Sequence, residues 1–88
     1  MIEVVWTTKF KKDFKSSIKQ NKDINKLEEI ILLLQNNKTL PAKNRNHKLI
    51  GKYRGLWECH IEPDWLLIYD LREKELMLIR TGSHSDLL

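Results

Sequence analysis

Three histidines, His47, His60 and His84, are the only ones in an 88-residue chain, and they lie far apart in sequence. Imidazole is the side chain whose unperturbed pKa lies closest to neutral, so histidines gathered with a carboxylate can both take and give protons at physiological pH. The stretch WECHIEPDW, residues 57–65, sets His60 among Glu58, Glu62 and Asp64, together with two tryptophans and the lone Cys59. Arg80 adds a permanent positive charge near His84 in sequence. Such a group suits attack on a phosphodiester. RNA is favoured over DNA because its 2′-hydroxyl is an internal nucleophile beside the phosphorus, so cleavage needs only a base, an acid and a cation, and no metal.

Blander readings stand beside this one. A strand histidine between two glutamates is commonly a solvated surface residue, and a histidine in a tail commonly does nothing. Three histidines and an aspartate also suggest a zinc-dependent hydrolase, but neither HExxH nor paired cysteines occur. No metal and no cofactor is therefore expected.

The elements that must bring these residues together are legible from periodicity. IEVVW, residues 2–6, is short, β-branched and apolar and reads as a strand. Thr7 or Thr8 can cap a helix in which Phe10, Phe14 and Ile18 recur at i, i+4 and i+8. Asp23 or Asn25 can cap a second, with Ile24, Leu27, Ile30, Ile31 and Leu34 on one stripe and Asn36-Asn37 as its stop. Residues 38–56 lose all periodicity and read as a long basic loop or a poorly ordered strand. After them Trp57, Cys59 and Ile61 alternate with Glu58, His60 and Glu62, which predicts a half-buried strand with Cys59 packed in the core and unreactive. Pro63-Asp64 makes a tight turn into WLLIYDL, apolar on both faces, and ELMLIRT is a third strand leading to the tail GSHSDLL. The prediction is one α+β domain over residues 1–88 in the order βααβββ, with about four mainly antiparallel strands and both helices on one side. In such a meander the end of the third strand returns to the start of the second, so His84 can approach Asp64 and His60, with Arg80 on that face.

The net charge of +4 is segregated. Residues 9–54 hold thirteen Lys and Arg against four Asp and Glu, and residues 57–88 hold three against seven. No acid interrupts Ile30 to Trp57, where Lys38, Lys43, Arg45, Lys48, Lys52 and Arg54 accumulate. A patch of this kind attracts polyanions by releasing their counterions. A non-catalytic nucleic-acid-binding module using only this loop is thus the main rival to an enzyme. The longest apolar runs are five residues, too short to span a bilayer, and MIEVVW does not read as a secretory signal, so export is not expected. With one cysteine and no internal disulfide, a cytoplasmic protein without membrane contact is expected.

Three blocks in order, H-x-L-x-G at His47, Leu49 and Gly51, ECHIEPDWLLIY at Glu58 to Tyr69, and RTGSHSDL at Arg80 to Leu87, closely resemble the YafQ branch of the RelE-type toxins. They span about half the chain, and the element order covers the rest. The resemblance implies a small RelE-like fold and a sequence-selective mRNA endoribonuclease, often acting on translating ribosomes and silenced by a cognate antitoxin. It also implies that His47, His60, Asp64 and His84 form the acid–base group, with Arg80 on the scissile phosphate and Trp65 near the RNA. Asp64 or His60 can serve as base and His84 or His47 as acid; the favoured assignment is His60 as base, supported by Asp64, and His84 as acid. Lys43, Arg45, Lys48, Lys52 and Arg54 are the expected RNA-binding charges. The chain departs from the family pattern at Trp57, where relatives carry an arginine, and at Leu88, where the branch ends in an aromatic.

Overall fold

The computed structural model describes residues 2–88. In chain order it contains β1 (Glu3–Trp6), α1 (Thr8–Lys19), α2 (Ile24–Gln35), β2 (His47–Lys48), β3 (Trp57–Glu62), β4 (Trp65–Leu71), β5 (Glu75–Gly82) and a single-turn α3 (His84–Leu87). Both long helices begin as their caps require: the Thr7 hydroxyl accepts from the Phe10 amide, and the Asp23 carboxylate from the Asn25 amide. Thr7 also donates to the Leu78 carbonyl at 2.8 Å, which fixes the start of α1 to β5.

Phe10, Leu27, Ile30 and Leu34 are buried, and Phe14, Ile24 and Ile31 pack around them. Ile18 is not part of the stripe and is 51% exposed; Ser17 is buried in its place. At about 100° per residue, Ser17 lies within about 20° of Phe10 around the helix, whereas Ile18 is about 80° away.

The sheet has five strands rather than about four, in the order β1-β5-β4-β3-β2. β1 runs parallel to β5 and every other pairing is antiparallel. The extra strand comes from the segment read as a loop: His47 and Lys48 pair with Glu58 and Trp57. Single 3₁₀ turns at Ala42–Asn44 and Gly51–Tyr53 order the rest of it.

All five residues from Trp65 to Tyr69 in β4 are buried, so the sheet needs cover on both faces. On one face α1 and α2 meet Cys59, Ile61, Trp65, Leu67, Tyr69, Leu76 and Leu78. On the other, Leu66 and Ile68 are covered by Leu49, Tyr53, Leu56, Ile79 and Leu87. Cys59 is fully buried, as alternation requires, and burial, reinforced by the charge of neighbouring Glu58, pushes its thiol up to about 12.

The register shifts twice. Between His60 and Glu62 an extra residue on β3 turns Glu62 from the His60 face toward the helices, where it pairs with Lys26 at 2.9 Å. Strict alternation had placed Glu62 beside Glu58 and His60. On β5 the pairing passes from Tyr69–Leu78 to Ile68–Arg80, leaving Ile79 as the extra residue. Leu76 and Leu78 face the helices, and without this bulge Arg80 would follow them.

Leu34 lies near the end of α2 at 3% exposure. Leu34→Ala should lower unfolding free energy by roughly 2–5 kcal/mol in urea denaturation, with the slope unchanged. A loss under about 0.5 kcal/mol would place that stripe in solvent.

Candidate active site

The face of the sheet away from α1 and α2 carries the predicted histidines. His47, Glu58 and Ile68 occupy one row across β2, β3 and β4, and Arg80 continues it on β5. His60, Leu66 and Gly82 form the next row. Residues directly opposite in antiparallel strands share a face, so His47, Glu58, His60 and Arg80 all project from it.

His84 arrives by a different route. Ser83 caps α3, accepting from the Asp86 amide while Asp86 accepts from the Ser83 amide. The tail therefore ends in an ordered turn anchored by buried Leu87, not in a free segment. This places His84 against the Pro63-Asp64 turn, where the Asp64 carboxylate accepts from both the His84 amide, at 3.0 Å, and its Nδ1, at 2.8 Å. These two bonds hold the Asp64 carboxyl below its ordinary value of 3.8.

The ring centroids of His47 and His60 are 6.4 Å apart, and those of His60 and His84 5.6 Å. Each ring spends Nδ1 on a nearby acceptor: the Arg45 carbonyl for His47 at 2.7 Å, the Pro63 carbonyl for His60 at 3.3 Å, and Asp64 for His84. Carbonyls only accept, so Nδ1 of His47 and of His60 carries hydrogen and Nε2 is left to exchange a proton. Asp64, expected to support His60, pairs with His84.

Beside His60 stands Glu58, which the sequence reading left out of the site. It is 3% exposed, and its Oε1 lies 3.4 Å from His47 Nε2 and 3.9 Å from His60 Nε2. Its Oε2 is buried without a hydrogen-bond partner. Glu58 is thus the carboxyl group that lies between the two rings. The signal for it was the alternation that put Glu58 on the His60 face. Nothing in the sequence marked its burial, which comes from neighbours on other strands.

The flanking segment is held by two asparagines. Asn44, buried, donates to the His60 carbonyl at 2.7 Å, and Asn46 accepts from the Tyr69 hydroxyl. Arg45 between them is left-handed, at φ 44°. Lys43, Arg45, Lys48, Lys52 and Arg54 are all exposed. Lys48 lies over the Trp57 ring and Lys52 over Tyr53. Trp65 belongs elsewhere: it is fully buried under the helices and offers RNA no stacking surface. Arg80 reaches the correct face but is engaged by Asp13 of α1, with Nε at 2.6 Å; the hydrogen bond and charge of Asp13 raise its pKa against the opposing effect of burial. Among the described residues no three His, Cys, Asp or Glu are grouped to hold a metal ion, and no helix is long and apolar enough to cross a membrane.

A family model described as the bacterial toxin of type II toxin-antitoxin system, YafQ, matches residues 2–88. The mRNA interferase toxin YafQ of Escherichia coli strain K12 is 42% identical over 86 residues, covering 97% of this chain and 94% of the relative. In the crystal structure of the Escherichia coli DinJ-YafQ toxin-antitoxin complex, a chain 41% identical superposes with a TM-score of 0.91, over 99% of this chain and 97% of that one. A metal-bound toxin from Helicobacter pylori, 36% identical, superposes at 0.93 over the full length of both. The sequence match and the shared sheet and helices are those of a bacterial type II toxin. Within that class, the chain belongs to the YafQ family.

The Asp64 shift has a measurable sign. A carboxyl lowered in the folded state contributes its tether above the unfolded value of 3.8 and loses it as pH falls through the folded one. Followed by NMR, the Asp64 carboxyl carbon should titrate with a midpoint below 3.8, and the His84 amide should shift with it. A midpoint at or above 3.8 would mean the His84 contact is absent in solution.

Proposed function

We propose that the chain is the toxin of a type II toxin–antitoxin pair and an endoribonuclease that cuts mRNA by attack of the 2′-hydroxyl on the adjacent phosphorus. The observation that supports this most is the convergence of three imidazoles with Nδ1 committed, between a buried glutamate and an aspartate, on the face that carries the basic segment.

His60 takes the 2′-hydroxyl proton on Nε2, and Glu58 stabilises the imidazolium that forms. The new bond from O2′ to phosphorus expels the 5′ oxygen of the next nucleotide. His84, oriented by Asp64 through Nδ1, gives that oxygen its proton from Nε2. The products are a 2′,3′-cyclic phosphate, or the 3′-phosphate from its hydrolysis, and a 5′-hydroxyl. Arg80 offers N–H groups to the developing charge on the phosphate, and His47 orients the RNA. Lys43, Arg45, Lys48, Lys52 and Arg54 neutralise flanking phosphates, on mRNA and on the ribosome that presents it. The antitoxin silences the site by covering the histidines or by laying an acidic segment on the basic patch; the Escherichia coli relative is found with its antitoxin DinJ.

Cleavage should proceed in chelator, be bell-shaped in pH, and fail at a site with a single 2′-deoxy substitution. His84→Ala should lower the rate by roughly 10²–10⁴-fold with the fold intact, and His47→Ala by less. A 5′-phosphate product, or His84→Ala cutting at the parental rate, would leave only a binding module. Loss of cleavage in chelator would favour a metal-dependent hydrolase.

RNA affinity should fall linearly on a log–log plot against salt, and reversing the charge at Lys48 and Lys52 should flatten the slope and weaken all sequences alike. Salt-independent binding would remove the electrostatic basis.

A further inference from the structure

Two asparagines flank a strained turn just before His47. Ala42–Asn44 make one 3₁₀ turn, and the Arg45 amide donates to the Ala42 carbonyl at 3.1 Å. Arg45 itself is left-handed, at φ 44° and ψ 52°. That region costs any residue with a Cβ, and asparagine tolerates it better than arginine does. Among the described residues, the other non-glycine positions with positive φ are Asn21 and Asn37, both asparagines. Asn44 and Asn46 stand on either side of Arg45, yet neither takes the strained conformation. Their side chains are committed elsewhere. Asn44, buried, donates from Nδ2 to the His60 carbonyl at 2.7 Å, and Asn46 Oδ1 accepts from the hydroxyl of buried Tyr69. The first bond ties the turn to β3 and the second ties it to β4.

The Arg45–Asn46 peptide lies between those two ties, and its carbonyl accepts from His47 Nδ1 at 2.7 Å. His47 sits on a two-residue strand at the edge of the sheet with its side chain 49% exposed, so packing alone does not fix its ring. A carbonyl only accepts, so this contact keeps the hydrogen of the neutral ring on Nδ1. Nε2 then lies 3.4 Å from Glu58 Oε1, on the face that carries His60. A left-handed arginine persists only where its surroundings over-determine it, and here they do so beside a histidine of the site.

We propose that Asn44 and Asn46 are positioning residues for His47: by holding Arg45 in its strained conformation they keep the Arg45 carbonyl on Nδ1, and so keep Nε2 as the nitrogen that His47 presents to the RNA. As a statement about cleavage, this rests on the endoribonuclease reading above.

The His47 ring is read by long-range proton–nitrogen NMR at a pH where it is neutral. In the parental chain its hydrogen should be on Nδ1. Asn46→Ala, at an exposed position, and Tyr69→Phe, which removes the matching hydroxyl, should each shift the tautomer ratio toward Nε2–H by roughly 2–10-fold, the worth of one hydrogen bond. Asn44→Ala should do the same; it empties a buried position, so the two other variants decide if it fails to fold. Asn46→Asp keeps an acceptor for the Tyr69 hydroxyl and should keep the parental ratio. So should Arg45→Gly, because glycine adopts the left-handed turn without strain. His84, whose Nδ1 is on Asp64, should not change in any of them. If Asn46→Ala and Tyr69→Phe lower the melting temperature but leave the ratio at its parental value, or if the parental ring carries its hydrogen on Nε2, the asparagines only brace the loop and the proposal is overturned. In RNA cleavage, Asn46→Ala should lower kcat by no more than His47→Ala does, and should add no loss in a His47→Ala background. An equal loss in that background would overturn the link to His47. If the parental chain cuts no RNA, the endoribonuclease reading fails, while the tautomer ratio still decides whether the asparagines hold His47.

Discussion

Everything on the working face follows from the burial of β4 on both sides. Trp65, Leu67 and Tyr69 are covered by the two long helices, which is the ordinary use of an amphipathic helix against a sheet. Leu66 and Ile68 have no helix of comparable length available, yet they are fully buried. Their cover is assembled from Leu49, Tyr53 and Leu56 after β2 and from Leu87 in the last turn. Those two segments are the ones that carry His47 and His84. Hydrophobic burial on the second face and assembly of the histidine cluster are thus one event, and removing water from Leu66 and Ile68 draws both histidines toward His60.

The polar groups are then held by short local devices. Asn44 ties its segment to the His60 carbonyl, Asn46 takes the Tyr69 hydroxyl, and Ser83 with Asp86 closes the turn that presents His84. Two carboxylates divide the work: exposed Asp64 orients His84, while buried Glu58 lies between His47 and His60. The charges expected to meet RNA remain on the surface, where a long polyanion can reach them. At the departures from the family pattern, Trp57 is partly buried under Lys48, and Leu88 is exposed.

Much of this was legible from residue order. The 3.6-residue spacing of Phe10 and Phe14 and of Leu27, Ile30 and Leu34 determined two helices and, Ile18 apart, their buried faces. The capping candidates narrowed each start to two positions, Thr7 or Thr8 and Asp23 or Asn25, between which the structure chose Thr7 and Asp23. Period-two alternation determined that Cys59 is buried while His60 looks the other way. The acid-free stretch located the basic surface, and the three motif blocks pointed to the family. These features are local, set by neighbours within a turn or a strand.

What only the tertiary structure decided is which polar residues share a site. A bulge in β3 removes Glu62 from the His60 face and gives it to Lys26, and a bulge at Ile79 brings Arg80 over from the helix side. Trp65, beside Asp64 in sequence, falls on the opposite face. Glu58 becomes a buried partner of two histidines, and Asp13 meets Arg80 across the sheet edge. A bulge is a mismatch of register between two strands, and an ion pair between distant elements is fixed by how a helix crosses a sheet. Neither leaves a mark in the spacing of one strand, because each is settled by the partner's packing.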